Sequence, residues 1–88
     1  MTSETPEHRL KRLKIRAWRR GIKEMDLILG GWSDSYLADL PDAEVIKFDA
    51  LLLENDNDLY QWVTKQTPAP EKFQDLIDRI AEDMQKLS

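Results

Sequence analysis

Apolar residues in this chain recur at intervals of three and four, and nowhere do they alternate with polar residues for the length of a strand. The clearest stripe is Phe73, Leu76, Ile77, Ile80, Met84 and Leu87, which predicts a helix over residues 70–86. Earlier stripes predict four more. Thr5-Pro6-Glu7 reads as a helix start, with a hydroxyl cap, a proline in the first turn and a carboxylate facing the dipole. From there Leu10, Leu13 and Ala17 share one face through residue 20, with Ile15 and Trp18 on a second stripe. Gly21 suits the left-handed position beyond a helix end, so Arg19-Arg20-Gly21 predicts a corner. A second helix over 22–37 carries Met25, Ile28, Leu29, Trp32 and Tyr36 inward, with Gly30-Gly31 the place where it is expected to bend or pause. A third over 43–54 turns Val45, Phe48 and Leu52 inward, with Ile46 and Leu53 widening the stripe. A fourth over 56–65 buries Leu59, Trp62 and Val63, with Asn55 and Asp58 as a capping pair. The expected fold is all-α: a compact bundle of about five short helices, residues 1–88 forming one domain with 1–5 flexible.

Size and composition narrow the function. A chain of 88 residues buries only about two-thirds of its unfolded surface, too little for a deep catalytic cavity but enough for a binding module. The absence of cysteine excludes disulfides, thiolate metal sites and a cysteine nucleophile. No apolar run reaches the roughly 18–20 residues that a membrane span needs. Asn55-Asp56-Asn57-Asp58 opens like a calcium loop, but the sixth position is Tyr60 instead of glycine and the twelfth is Gln66 instead of glutamate. With His8 as the single histidine, a zinc site is not expected either. No glycine-rich phosphate loop, nucleophile elbow or serine–histidine arrangement is present. The expectation is therefore no catalytic residue and no metal.

The net charge of −4 conceals a division. Residues 1–23 sum to +6 and residues 24–88 to −10. A basic end on an acidic remainder either pairs internally or faces an acidic partner. Three partners suit a basic amphipathic helix with a tryptophan: nucleic acid, an anionic membrane, or acidic neighbours in its own bundle. The acidic remainder argues against the first two. Residues 8–20 also resemble a cleavable targeting helix, against which stand Glu4, Glu7 and the capped start.

The residues at the corner point further. Arg19-Arg20-Gly21-Ile22-Lys23-Glu24-Met25-Asp26 contains an Arg-Gly-x-x-Glu motif. About 35 residues later Asp56-Asn57-Asp58-Leu59-Tyr60-Gln61-Trp62 matches D-x-D-L-x-x-W. Together they resemble the succinate dehydrogenase assembly factor 2 family (SdhE, the RGxxE flavinylation factors) over roughly residues 8–85. Ile22 stands where that family often has methionine, Met25 where it usually has leucine, and Gly30-Gly31-Trp32 where many members carry one glycine and a phenylalanine. The first two swaps preserve size and apolarity.

The resemblance implies a five-helix assembly factor, not an enzyme. Such a factor binds the flavoprotein subunit of succinate dehydrogenase, in some bacteria also that of fumarate reductase, and promotes covalent attachment of FAD to a histidine there. FAD is then the client's cofactor and none is held stably by the factor. Carried onto this chain, the partner-binding residues are Arg19, Arg20, Gly21, Glu24, Asp26, Asp56 and Asp58. Gly21 admits a partner's backbone, Arg20 offers a planar fork, and Glu24 one turn on either orients that arginine or receives a partner's hydrogen bond. Leu59 and Trp62 are expected to pack the fourth helix, and Asp58 to cap it. The expected protein is a monomer without nucleic-acid binding or membrane insertion, in a bacterial cytoplasm or, as a mature form, the mitochondrial matrix. The alternative is a nucleic-acid-binding or regulatory helical protein working through the basic first helix.

Overall fold

A computed structural model describes residues 4–86. Among the described residues five α-helices follow in order: α1 (Pro6–Trp18), α2 (Lys23–Tyr36), α3 (Asp42–Leu51), α4 (Asp56–Val63) and α5 (Glu71–Lys86). A single 3-10 turn, Leu37–Asp39, extends α2. No strand occurs among the described residues, and the fold is all-α, as the spacing predicts. The chain divides into two compact units, Met1–Asp39 and Leu40–Ser88.

In the first unit, Thr5 caps α1 by accepting the His8 N–H at 3.2 Å. Just ahead of it Glu4 receives a two-pronged contact from Arg12, Nε at 2.7 Å and Nη2 at 3.0 Å. That guanidinium holds the Glu4 carboxyl below its usual range. Leu13 and Ala17 of α1 and Met25, Leu29 and Trp32 of α2 are buried. Ile28 and Tyr36 are half-buried, so the inner face of α2 is narrower than its spacing suggests. Trp32 and Tyr36, one turn apart, meet as tilted rings with centroids 5.6 Å apart.

Ile15 and Trp18, on the second stripe of α1, are 48% and 38% exposed. The α2 helix runs through Gly30 and Gly31 without a pause. Gly30 serves packing instead: a Cβ built there would lie 2.2 Å from Cδ2 of the Trp18 indole. The indole is fixed over the glycine by its Nε1, which donates to Asp34 Oδ2 at 3.1 Å. Ser33, fully buried, turns its hydroxyl back to donate to the Gly30 carbonyl at 2.8 Å.

In the second unit, Val45, Phe48, Leu51 and Leu52 are buried, while Ile46 and Leu53 stand 56% and 71% exposed. The predicted widening of the stripe is thus wrong. Ile46 belongs to the opposite side of the helix, and α3 ends at Leu51, so the following turn swings Leu53 outward. Asn55 caps α4 by accepting the Asn57 N–H at 2.8 Å. Asp58, expected to share that cap, is exposed, and its side chain makes no hydrogen bond or ion pair among the described residues. Leu59 and Val63 are buried. Trp62 is half-buried, its ring 6.3 Å from that of Phe73. Two residues past the end of α4, Lys65 takes a positive φ of 65° and pairs its ammonium with Asp78 of α5. Phe73, Leu76, Ile77 and Ile80 are buried as the stripe requires. Met84 is half-buried, and Leu87 lies outside the described residues.

Candidate functional site

The corner between α1 and α2 is built by four residues that neither helix accepts. Arg19 and Arg20 were predicted to complete the last turn of α1, but the helix ends at Trp18. Arg19 is its C-cap at φ −122° and ψ 53°, with its N–H reaching the Arg16 carbonyl at 3.3 Å. Gly21 follows at φ +92°, a conformation that costs a residue with a Cβ about 1–3 kcal/mol. Ile22 is extended at φ −120° and ψ 122° and opens α2 without a side-chain cap.

Asp26 secures this reversal. Its Oδ1 accepts the backbone N–H of Arg20 at 2.6 Å, while its own N–H bonds the Ile22 carbonyl at 2.9 Å. A carboxylate in the first turns of α2 is thereby tied to a backbone amide that neither helix satisfies. The expectation placed Asp26 among residues meeting a partner; the geometry turns its carboxylate to the corner's own backbone. Glu24 is the reverse case. It is exposed, and its side chain makes no hydrogen bond or ion pair among the described residues. It therefore does not orient Arg20, which is the first of the two roles considered for it. Its carboxylate stands in the first turn of α2, where the helix dipole favours negative charge.

The resulting surface is small and specific in character. Gly21 is exposed, and a Cβ built on it would meet nothing within 4 Å. Its glycine is required by φ, and the space before it is open to an approaching backbone. Arg19 and Lys23 are exposed beside it, Arg20 is half-buried, and Leu27 stands 50% exposed one turn beyond Glu24. Guanidinium, open backbone, carboxylate and an apolar side chain make a recognition surface; no nucleophile with a base beside it occurs there.

Five of the seven predicted residues, Arg19, Arg20, Gly21, Glu24 and Asp26, are gathered at this corner. Asp56 and Asp58 belong to the second unit, in the first turn of α4, where Asp56 is half-buried and Asp58 exposed. Trp18 was not among the predicted site residues, yet it braces the end of α1 against α2 beside the corner. Its signal in the sequence is Gly30, a mid-helix glycine whose cost needs a reason.

Residues 11–84 match the family model described as flavinator of succinate dehydrogenase. The chain belongs to that family. It is 39% identical over 85 residues to the succinate dehydrogenase assembly factor 2, mitochondrial, of Scheffersomyces stipitis, covering 91% of this chain and 57% of the relative. The protein of the same name from Meyerozyma guilliermondii is 36% identical over 89 residues, covering 96% and 66%. The one from Saccharomyces cerevisiae is 37% identical over 75 residues, covering 82% and 46%. This flavinator-family chain thus spans about half to two-thirds of the length of these relatives. The matched region contains the corner and the D-x-D-L-x-x-W segment alike.

Proposed function

We propose that this protein docks on the flavoprotein subunit of succinate dehydrogenase and promotes covalent attachment of FAD to it, as a conformational chaperone without an active site of its own. The observation that carries this reading is the corner of half-buried Arg20 with exposed Gly21 and Glu24 in a chain of the flavinator family. Attachment requires a histidine of the client, the flavin and its activating groups to be aligned. The negative charge that develops on the flavin is stabilised inside the client. The corner's part is to hold the client in that aligned conformation. Gly21 lets the client's backbone approach, Arg20 engages a carboxylate or carbonyl, and Glu24 accepts a hydrogen bond from the client. Asp26 acts one step back, as a positioning residue that fixes the Arg20 backbone.

The fumarate reductase flavoprotein is a second client of the same chemistry. The protein works as a monomer and before the dehydrogenase is assembled. Its compartment is that of the client: a bacterial cytoplasm, or the mitochondrial matrix, which the relatives' names support. FAD stays with the client throughout.

A pull-down tests the partner. Immobilised protein should retain the purified flavoprotein subunit, and Glu24→Ala should retain markedly less. Retention of DNA or RNA that is lost with rising salt, without retention of the flavoprotein, would instead support the basic first helix as the working surface.

A further inference from the structure

Helix α3 is apolar on two sides, and only one of them is used by its own unit. Val45, Phe48 and Leu51 are buried. On the other side Ala43, Ile46 and Ala50 recur at intervals of three and four, Leu53 follows three residues on in the turn that ends the helix, and all four are exposed. Leu53 and Ile46 are the two most exposed large apolar residues among the described residues. A solvated helix face is ordinarily polar, so an apolar stripe at helical spacing is the pattern of a helix that meets a second helix. The alanines keep the stripe low, which leaves Ile46 and Leu53 as projecting knobs.

The surroundings define what fits it. Asp42 and Asp49 stand three or four positions from Ile46 and Leu53, on the flank of the stripe. Over residues 42–58 of the same unit there are six carboxylates and one cation, Lys47, which is paired with Glu44 at 3.6 Å. An apolar ridge in so acidic a setting complements an amphipathic helix that carries leucine-like residues between lysines or arginines. We infer that the outer face of α3 is a second docking surface, which takes a basic amphipathic helix of the client flavoprotein. The inference rests on the proposed function for the identity of the client. A second attachment point raises affinity for one client without any stronger contact at the corner.

Charge-swapped substitutions at the two exposed knobs test this on the full chain, with the purified flavoprotein subunit as the probe. Ile46→Lys with Leu53→Lys should weaken binding about tenfold or more, and Ile46→Glu with Leu53→Glu should weaken it several-fold less, because glutamate keeps the attraction to a basic partner. Both residues are exposed, so thermal unfolding should match that of the wild type. Unchanged binding by both variants while the wild type binds overturns the second surface and leaves the corner standing. Equal losses from lysine and glutamate overturn the basic partner. Self-association of the wild type that Ile46→Lys abolishes would assign the stripe to a second copy and overturn the inference. Failure of the wild type to bind the flavoprotein overturns both this inference and the proposed function.

Discussion

Gly30 and Gly31 are neighbours in α2, yet opposite constraints act on them. A Cβ at Gly30 runs into the Trp18 indole, while one at Gly31 meets nothing within 4 Å. Gly30→Ala must push the indole aside and break its hydrogen bond to Asp34, an overpacking that outweighs the gain in helix propensity. The expected loss of stability is about 1–2 kcal/mol. Gly31→Ala adds only propensity and should stabilise the protein by up to about 1 kcal/mol. Urea unfolding of the two variants reads the contrast, and equal losses would contradict the role given to Gly30. Gly21 differs from both. Its φ of +92° strains any side chain placed there, so a Gly21 variant disturbs shape and contact together. Glu24, exposed and making no internal bond, is the cleaner probe of contact.

At the scale of elements, the corner depends on one tie between the end of α1 and the start of α2. Asp26→Ala removes the acceptor of the Arg20 N–H and should lower stability by about 1–2 kcal/mol. Hydrogen exchange at the Arg20 amide should accelerate in Asp26→Ala and much less in Asp26→Asn, which retains a carbonyl acceptor. Unchanged protection in Asp26→Ala would contradict this assignment. The same tie shows where sequence reasoning reached its limit. Helix type and number were legible, because spacing of three and four is a local property of the chain. The end of α1 was not: Arg19 and Arg20 suit a helix, and what removes them is the backbone of Gly21 together with a carboxylate six residues past Arg20. In α3 the spacing widens the inward stripe of Val45, Phe48 and Leu52 with Ile46 and Leu53, but both stand exposed, because apolarity alone does not tell a packed face from an exposed one. The Arg-Gly-x-x-Glu motif located the corner. It could not reveal that Asp26 faces the backbone while Glu24 stands free of internal contacts.

For the whole molecule, the division of charge gains a different meaning from the one it first suggests. The surplus of +6 in residues 1–23 invites nucleic acid or a membrane, yet Arg12 is engaged with Glu4 and the corner at the end of the segment mixes cations with Glu24. In the second unit the exposed Ile46 and Leu53 lie within the acidic stretch 42–58. The corner and the stripe are the two surfaces that the proposals assign to gripping another protein. The central claim is that the corner promotes flavin attachment through contact with the client. Its most direct measurement is in-gel flavin fluorescence of the denatured flavoprotein subunit, incubated with FAD and with wild-type protein, Glu24→Ala, or neither. The account predicts strong covalent fluorescence with the wild type and near-background fluorescence with Glu24→Ala, although the variant unfolds at the same temperature. Full stimulation by Glu24→Ala, or none by the wild type, would contradict it.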